Sequence, residues 1–426
     1  CNRGRSDTEP EMNRKILSWA GYDFANTMFS MNVVSRYFPI FAINTLGGSD
    51  LSVGVARSAA MVLVAFVMPA LGALADRNNR RKRPLIVFTL ICCLLTVMLN
   101  VTGSLIVSLA FFSLAIFCYE AALVYYNALL PAVSPPDKLG FISGLGVSLG
   151  YCGSITGLFL VATLNRLGDF PYLWTALLFL VFSIPTFIWV KDFADSKSKT
   201  TAPVSAPLGL TASLRRAGRI PGMIRLLVGR FFIIEAIETI ILFMAVYLIN
   251  AAGMGDKTIG GIGLDEVTFF LIVVTFFTAI GSLIWGYFTQ KYGSRIMLIA
   301  SAVFWMIALA GIVIFPGRGI LFVWGLIAGC ALGGFWTAER PLLISLVNDD
   351  RKLGEYFGLF SLSGRMAAVI GPIIWGAIIF ALQFLGAVRY RIAVGAMFLM
   401  VAAGTIILLK VPDPRKSATR KKPDDR

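Results

Sequence analysis

Gly72-Ala-Leu-Ala-Asp76-Arg77-Asn-Asn-Arg80-Arg81 closes one long apolar segment and turns into the next; 214 residues later Gly286-Tyr-Phe-Thr-Gln290-Lys291-Tyr-Gly-Ser-Arg295 does the same. The register persists. Lys138-Leu-Gly140 returns as Lys352-Leu-Gly354, Gly144 as Gly358, Gly150 as Gly364 and Gly157 as Gly371, always at a spacing of 214. Chance matches one glycine; it does not hold one offset across several apolar segments and a charged turn. The chain reads as two copies of one helical unit, fused head to tail.

Composition says what kind of unit this is. Hydrophobic residues make up 57% of the chain and charged ones 14%, and the mean hydropathy is +0.79. A soluble chain of this length needs a far more charged surface. Twelve apolar runs stand out, near 16–43, 53–75, 84–102, 105–131, 140–164, 172–190, 226–252, 267–289, 296–315, 319–346, 355–383 and 391–409. At a rise of about 1.5 Å per residue, each is long enough to cross a hydrocarbon core of about 30 Å. The first carries too many polar residues to be a cleaved signal peptide. The expected fold is an all-α integral membrane protein with twelve transmembrane helices in two six-helix bundles. Its parts are a tail over 1–15, a bundle over 16–190, a linker over 191–225 with a short surface helix at Ser213–Ile220, a second bundle over 226–409, and a tail over 410–426.

The net charge of +15 follows topology rather than a nucleic-acid footprint. With the N-terminus inside, Arg14, Lys15, Arg77, Arg80, Arg81, Arg83, Lys138, Arg215, Arg216, Arg219, Arg225, Lys291 and Arg295 all fall on inner segments, with more in both tails. The outer loops hold only Arg166, Lys257, Arg318, Arg389 and Arg391. That asymmetry is the positive-inside rule, and an even number of spans places both termini in the cytoplasm. Cys92, Cys93, Cys118, Cys152 and Cys330 lie in apolar segments without ligand spacing, so they read as packing residues. Neither a metal site nor a cofactor is expected.

The turn itself has physical work to do. Gly72 allows close helix packing, Asp76 suits a neighbouring helix N-terminus, and Arg77, Arg80 and Arg81 anchor at headgroups and pair across a closed gate. Gly-x-x-x-Asp-Arg-x-x-Arg-Arg with its echo resembles the signature loop of the major facilitator superfamily. The resemblance implies the same gating task for Gly286, Gln290, Lys291 and Arg295. Gln290 replaces the acid of the first copy, so the two gates are not expected to be energetically equal.

A narrower resemblance rests on four stretches: Trp19-Ala-Gly-Tyr22-Asp23-Phe-Ala-Asn26, Tyr125-Tyr126-Asn127-Ala-Leu-Leu-Pro131, Gly144-Leu-Gly-Val-Ser-Leu-Gly150-Tyr151-Cys-Gly153, and Gly354-Glu355-Tyr-Phe357-Gly358-Leu-Phe-Ser-Leu-Ser-Gly364-Arg365 with Gly371-Pro372. Together these are similar to the vacuole-effluxer facilitators and their bacterial relatives. That resemblance implies amino-acid release. It departs from the pattern at Gly21, at Thr27 and over Trp336-Thr-Ala-Glu339-Arg340-Pro341.

Charges inside a bilayer cost roughly 2.5–3.5 kcal/mol each on insertion scales, so each needs a partner or a task. Those here are Asp23 in span one, Glu120 in span four, Arg230, Glu235 and Glu238 in span seven, Glu339 and Arg340 in span ten, and Arg365 in span eleven. In facilitators, spans one, four, seven and ten line the central cavity, and the acids fall on those four. Asp23, Asn26 and Ser30 share a helical face, as do Glu120 and Asn127. Glu235 and Glu238 stand one turn apart with like charge, so the pair is expected to hold a proton and is the first choice for proton coupling; a static bond from either to Arg230 or Arg365 is the alternative. Glu339 and Arg340 read as a local structural or gating pair. Tyr126 and Trp336, beside the charged positions, are the aromatic cavity candidates.

The expected function is secondary active transport of a small polar or zwitterionic solute, an amino acid or related metabolite, by alternating access. The expected setting is a monomer in the lipid of a bacterial inner membrane, with protons as the coupling partner and nucleic acid excluded. Export of a larger amphipathic compound or lipid is the alternative. A membrane-embedded enzyme is remote, since the chain has no His and no nucleophile motif.

Overall fold

The structure is a computed structural model, and it describes residues 9–48, 50–78, 80–168, 170–192, 210–254, 266–347, 349 and 352–415. Among the described residues there are twelve long helices and no strand. In lipid a chain must satisfy its own backbone, and helices do so within each segment. They are α1 (Glu9–Phe29), α2 (Asp50–Asn78), α3 (Lys82–Met98), α4 (Leu105–Ala128), α5 (Leu139–Leu164), α6 (Pro171–Trp189), α7 (Met223–Asn250), α8 (Glu266–Tyr292), α9 (Ser294–Ile314), α10 (Arg318–Val347), α11 (Leu353–Ala381) and α12 (Val388–Leu409).

Eight of these are long and apolar enough to cross a membrane by length and composition alone, with mean hydropathies between 1.7 and 2.5. Of the rest, α3 has only 17 residues, and α1 carries Arg14, Lys15 and Asp23 within its length. Two edges differ from the sequence expectation. α1 begins seven residues before the apolar run, at Glu9, because helical hydrogen bonding outlasts hydrophobicity. It also continues without a break into π-helical turns over Ser30–Tyr37. The surface helix in the linker runs over Leu210–Gly218, three residues earlier than expected, while 193–209, 255–265 and 416–426 lie outside the described residues.

The chain forms two compact units, Cys1–Ser213 with Asp349–Gly358, and Leu214–Asn348 with Leu359–Arg426. In the first, α1 packs on α5 and α6, α4 on α2 and α3, and α3 on α6. In the second, α7 packs on α12, α10 on α8 and α9, and α9 on α12. The four pairings of the second unit each have a counterpart in the first, as a duplicated unit requires. Glycine makes the tightest crossings possible: a Cβ on Gly153 of α5 would collide with the Phe24 carbonyl of α1, and one on Gly333 of α10 with the Thr278 carbonyl of α8. Lipid supplies little hydrophobic drive between helices, so such close backbone approach carries much of the association. Large apolar side chains such as Phe66, Phe159 and Phe380 stay exposed at 63%, 71% and 77%, as a lipid-facing surface demands. The described cysteines are free; Cys92, Cys93 and Cys118 are buried and Cys152 is exposed.

Candidate functional site

In the first unit, Asp23 and Asn26 are both buried on α1, one turn apart. Asn26 Nδ2 donates to Asp23 Oδ1 at 3.1 Å, and the Tyr119 hydroxyl of α4 donates to Asn26 Oδ1 at 3.4 Å. Thr27 is held to α5 through its hydroxyl, which donates to the Gly150 carbonyl at 2.6 Å. Gly146 leaves room for the acid, since a Cβ there would sit 3.2 Å from Asp23 Oδ2. Beside it lies an aromatic stack: Trp19 on Tyr126 with centroids 4.6 Å apart at 11°, and Tyr22 on Tyr126 at 5.0 Å. Trp19 Nε1 donates to the Tyr126 carbonyl at 3.2 Å, so the indole tip is satisfied as burial requires. Glu120 is buried on α4 next to Tyr119. Asn127, seven residues on, is half-buried, with no hydrogen-bond partner for its Oδ1.

The second unit is built around Arg230 of α7. Its Nε donates to Glu339 Oε2 of α10 at 2.8 Å, with the two side chains only 6% and 3% exposed. Its Nη1 donates to the Phe360 carbonyl of α11 at 2.8 Å, and the guanidinium lies 3.6 Å from the Phe360 ring centroid. Gly364 makes that fit possible; a Cβ there would stand 2.7 Å from Nη1. This arrangement corrects one expectation: Arg230 is partnered by Glu339 rather than by Glu235 or Glu238. Glu339 thereby bridges α10 to α7, and the charge of its sequence neighbour Arg340 acts on it as well. Glu235 is fully buried and accepts a hydrogen bond from the Gly371 amide of α11. Glu238 and Arg365 lie near enough for their charges to act on Arg230, and Glu238, Arg340, Arg365 and Trp336 are half-buried.

The two charged turns are tied down in comparable ways. Gly72 is the point of closest approach in the first unit, where a Cβ would collide with the Gly354 carbonyl. Arg80 is exposed, but Arg81, expected at the headgroups, is 1% exposed and its Nη1 donates to the Ala128 carbonyl at 3.1 Å. The physical reason is that Ala128 ends α4, where carbonyls lack intrahelical donors. Asp192 Oδ1 accepts from the Arg81 and Lys82 amides, both at 2.8 Å, which caps the start of α3. Burial lowers the Lys82 ammonium below the ordinary lysine value, and the Asp192 carboxylate opposes that shift. In the second copy, Arg295 donates to the Leu409 and Val411 carbonyls at the end of α12, each at 2.6 Å. Arg415 reaches the carbonyls of Gln290 and Lys291 at 2.7 and 3.0 Å. Gly286 is buried, while the side chains of Asp76 and Arg77 lie outside the described residues.

Residues 24–269 and 239–426 match the family model of the Major Facilitator Superfamily. The chain belongs to that superfamily. It is 23% identical to an MFS-type transporter, YxiO, of Bacillus subtilis over 96% of this chain and 97% of that one. Over a shorter stretch, 37% of this chain and 36% of the other, it is 26% identical to a Na(+), Li(+), K(+)/H(+) antiporter of Planococcus maritimus. Its fold is similar to the crystal structure of the human organic anion transporter MFSD10, with a TM-score of 0.74 at 13% identity over 94% of this chain and 100% of that one. The protein is thus an integral membrane transporter of small molecules, and not an enzyme.

Several members of both clusters were not singled out from sequence: Thr27, Tyr119, Thr239, Phe360, and the Arg230–Glu339 bond. The signal that finds them is the duplication itself. Gly150 sits against Asp23 and Gly364 against Arg230; Gly157 sits against Met28 and Asn32, and Gly371 against Glu235 and Thr239. Each α7 residue follows its α1 counterpart by 207 positions, so Asp23 and Arg230 occupy equivalent places with opposite charge.

Proposed function

We propose that this facilitator is a secondary active transporter of a small zwitterionic or polar solute, an amino acid or related metabolite, working by alternating access. The observation that carries the reading is the pair of buried acids on α1 and α4, Asp23 and Glu120. Asp23 or Glu120 suits an ammonium group. Arg230 is committed to Glu339, so Arg340 and Arg365 are the groups suited to a carboxylate. The residues similar to vacuole-effluxer facilitators point the same way and favour efflux. Both termini are assigned to the cytoplasm by the distribution of basic residues.

Coupling to a cation gradient is part of the proposal, with the buried acids as its basis. The test is uptake and efflux in proteoliposomes against an amino-acid and metabolite panel, with and without an imposed pH difference. Saturable, gradient-sensitive movement of a zwitterion, lost in Asp23→Asn, supports the reading. Movement of none of them, or movement indifferent to Asp23→Asn and to Arg365→Gln, refutes it. The Trp19–Tyr22–Tyr126 stack beside Asp23 favours a second reading, export of a larger amphipathic cation, which a lipophilic-cation arm of the same panel distinguishes.

A further inference from the structure

Glu235 and Thr239 lie one turn apart on α7, and both are fully buried. Both face Gly371 of α11: a Cβ there would collide with the Thr239 hydroxyl oxygen and stand 2.9 Å from Glu235 Oε1. The Gly371 amide donates to Glu235 Oε1. Glu235 Oε2 and Thr239 Oγ1 have no hydrogen-bond partner.

Packing does not require an acid at this place. In the first unit the equivalent glycine, Gly157, faces Met28 and Asn32, the counterparts of Glu235 and Thr239. Methionine fills the space there. The backbones differ too: α5 continues from Gly157 into Leu158, whereas Pro372 follows Gly371 inside α11. Proline has no N–H, so the Ala368 carbonyl loses the donor that a helix would supply four residues on. Oxygen acceptors therefore outnumber donors in a water-poor helix crossing, where an unsatisfied group costs several kcal/mol.

Among the described residues no cation is hydrogen-bonded to Glu235 Oε2. The other charged groups on the helices packed here are Arg225, Arg230 and Glu238 on α7, Arg318, Glu339 and Arg340 on α10, Glu355 and Arg365 on α11, and Arg389 and Arg391 on α12. Arg230 is taken by Glu339 and the Phe360 carbonyl, and Glu238 adds to the negative charge. We propose that Glu235 Oε2, Thr239 Oγ1 and the carbonyl that Pro372 leaves without a donor form a binding site for one small monovalent cation. Naming that cation the coupling ion rests on the transport reading; the site itself does not. A proton and an alkali ion bring the same chemistry, one positive charge on Oε2. A proton on Oε2 donates onward to the hydroxyl or a carbonyl, while Na+ or Li+ is held by all three oxygens together.

The test uses the purified full chain in detergent, with its thermal midpoint followed in choline, potassium, sodium and lithium chloride at equal ionic strength and alkaline pH, and across an acid titration in choline. The expected result is a rise with Na+ or Li+ over choline, or a rise on acidification without alkali preference; these identify the two sources. Glu235→Gln is expected to raise the half-saturating cation concentration by about tenfold or more, whichever ion is used. Thr239→Val should do so for an alkali ion only. Pro372→Ala returns an N–H to Ala368 and weakens the response to either ion, which keeps the test alive if Glu235→Gln fails to fold. A wild-type midpoint indifferent to every ion and to pH overturns the proposal, as does a wild-type response in Glu235→Gln or in Pro372→Ala. Solute transport by the same preparation in proteoliposomes shows separately whether the transport reading stands.

Discussion

Glu339→Ala isolates the strongest polar contact described in the second unit. It leaves the Arg230 guanidinium buried with one carbonyl acceptor, Phe360 O, and one aromatic face. The ring is worth about 2 kcal/mol to a desolvated cation, and an interhelical hydrogen bond in a membrane averages only about 0.6 kcal/mol. Removing one partner of a buried ion pair costs about 3–5 kcal/mol, because the remaining charge is uncompensated; that term decides the outcome. For a cooperative body of 150–250 residues, about 2–4 °C of midpoint accompanies each kcal/mol, so the expected fall is roughly 10 °C. Membrane proteins unfold irreversibly in most such assays, so the apparent midpoint must be compared at one heating rate. The double change Arg230→Met with Glu339→Leu removes both charges and keeps apolar volume, and it should recover most of the loss. A fall of less than about 3 °C in Glu339→Ala, or a double variant as unstable as that single one, would refute the claim that the pair is a charge lock. Glu339→Gln should lie between, keeping an acceptor for Nε while losing the charge.

Three further outcomes follow from the same geometry. Gly72→Ala forces a methyl into the Gly354 carbonyl and should lower the initial transport rate in proteoliposomes at least several-fold, while Gly54→Ala on the same helix, with open space around it, should leave it unchanged. Asp192→Ala removes the carboxylate that caps α3 and should cost about 1 kcal/mol, seen as a midpoint fall of a few degrees that Asp192→Asn largely restores. Tyr126→Ala empties the space between Trp19 and Tyr22 and should cost about 3–5 kcal/mol, whereas Tyr126→Phe, which keeps both stacks, should remain close to wild type in the same melt.

How much of this was legible in the chain depends on which side of a loop a residue lies. The helical class, the duplication and the twelve segments are carried by hydropathy and by an offset of 214 that runs unbroken through Gly72, Gly140, Gly150 and Gly157. The burial of Asp23, Glu120, Glu235 and Glu339 was readable for the same reason, since composition rarely places acids in apolar spans without a use. The partnership of Arg230 was not. Its counterpart in the first copy is Asp23, but the first helices align at 207 rather than 214, because the second copy has seven more residues between its first helix and its charged turn. A connecting loop absorbs such a difference at little cost, roughly 0.6 kcal/mol per doubling of its length, and leaves the helices on either side where they were. An offset measured on one side of that loop therefore says nothing about the other. Contact restores the register: Gly364 is fixed to Gly150 by sequence, Gly364 touches Arg230 while Gly150 touches Asp23, and the correspondence crosses from α11 to α7 through space. Once that is done, the differences between copies become informative. Where the first unit has Asp23 the second has Arg230 and must supply Glu339 to hold it; where the first has Met28 the second has Glu235 with no cation assigned to it. Symmetry explains the packing around each of those four positions, so the charges that break it are the ones left for chemistry to explain.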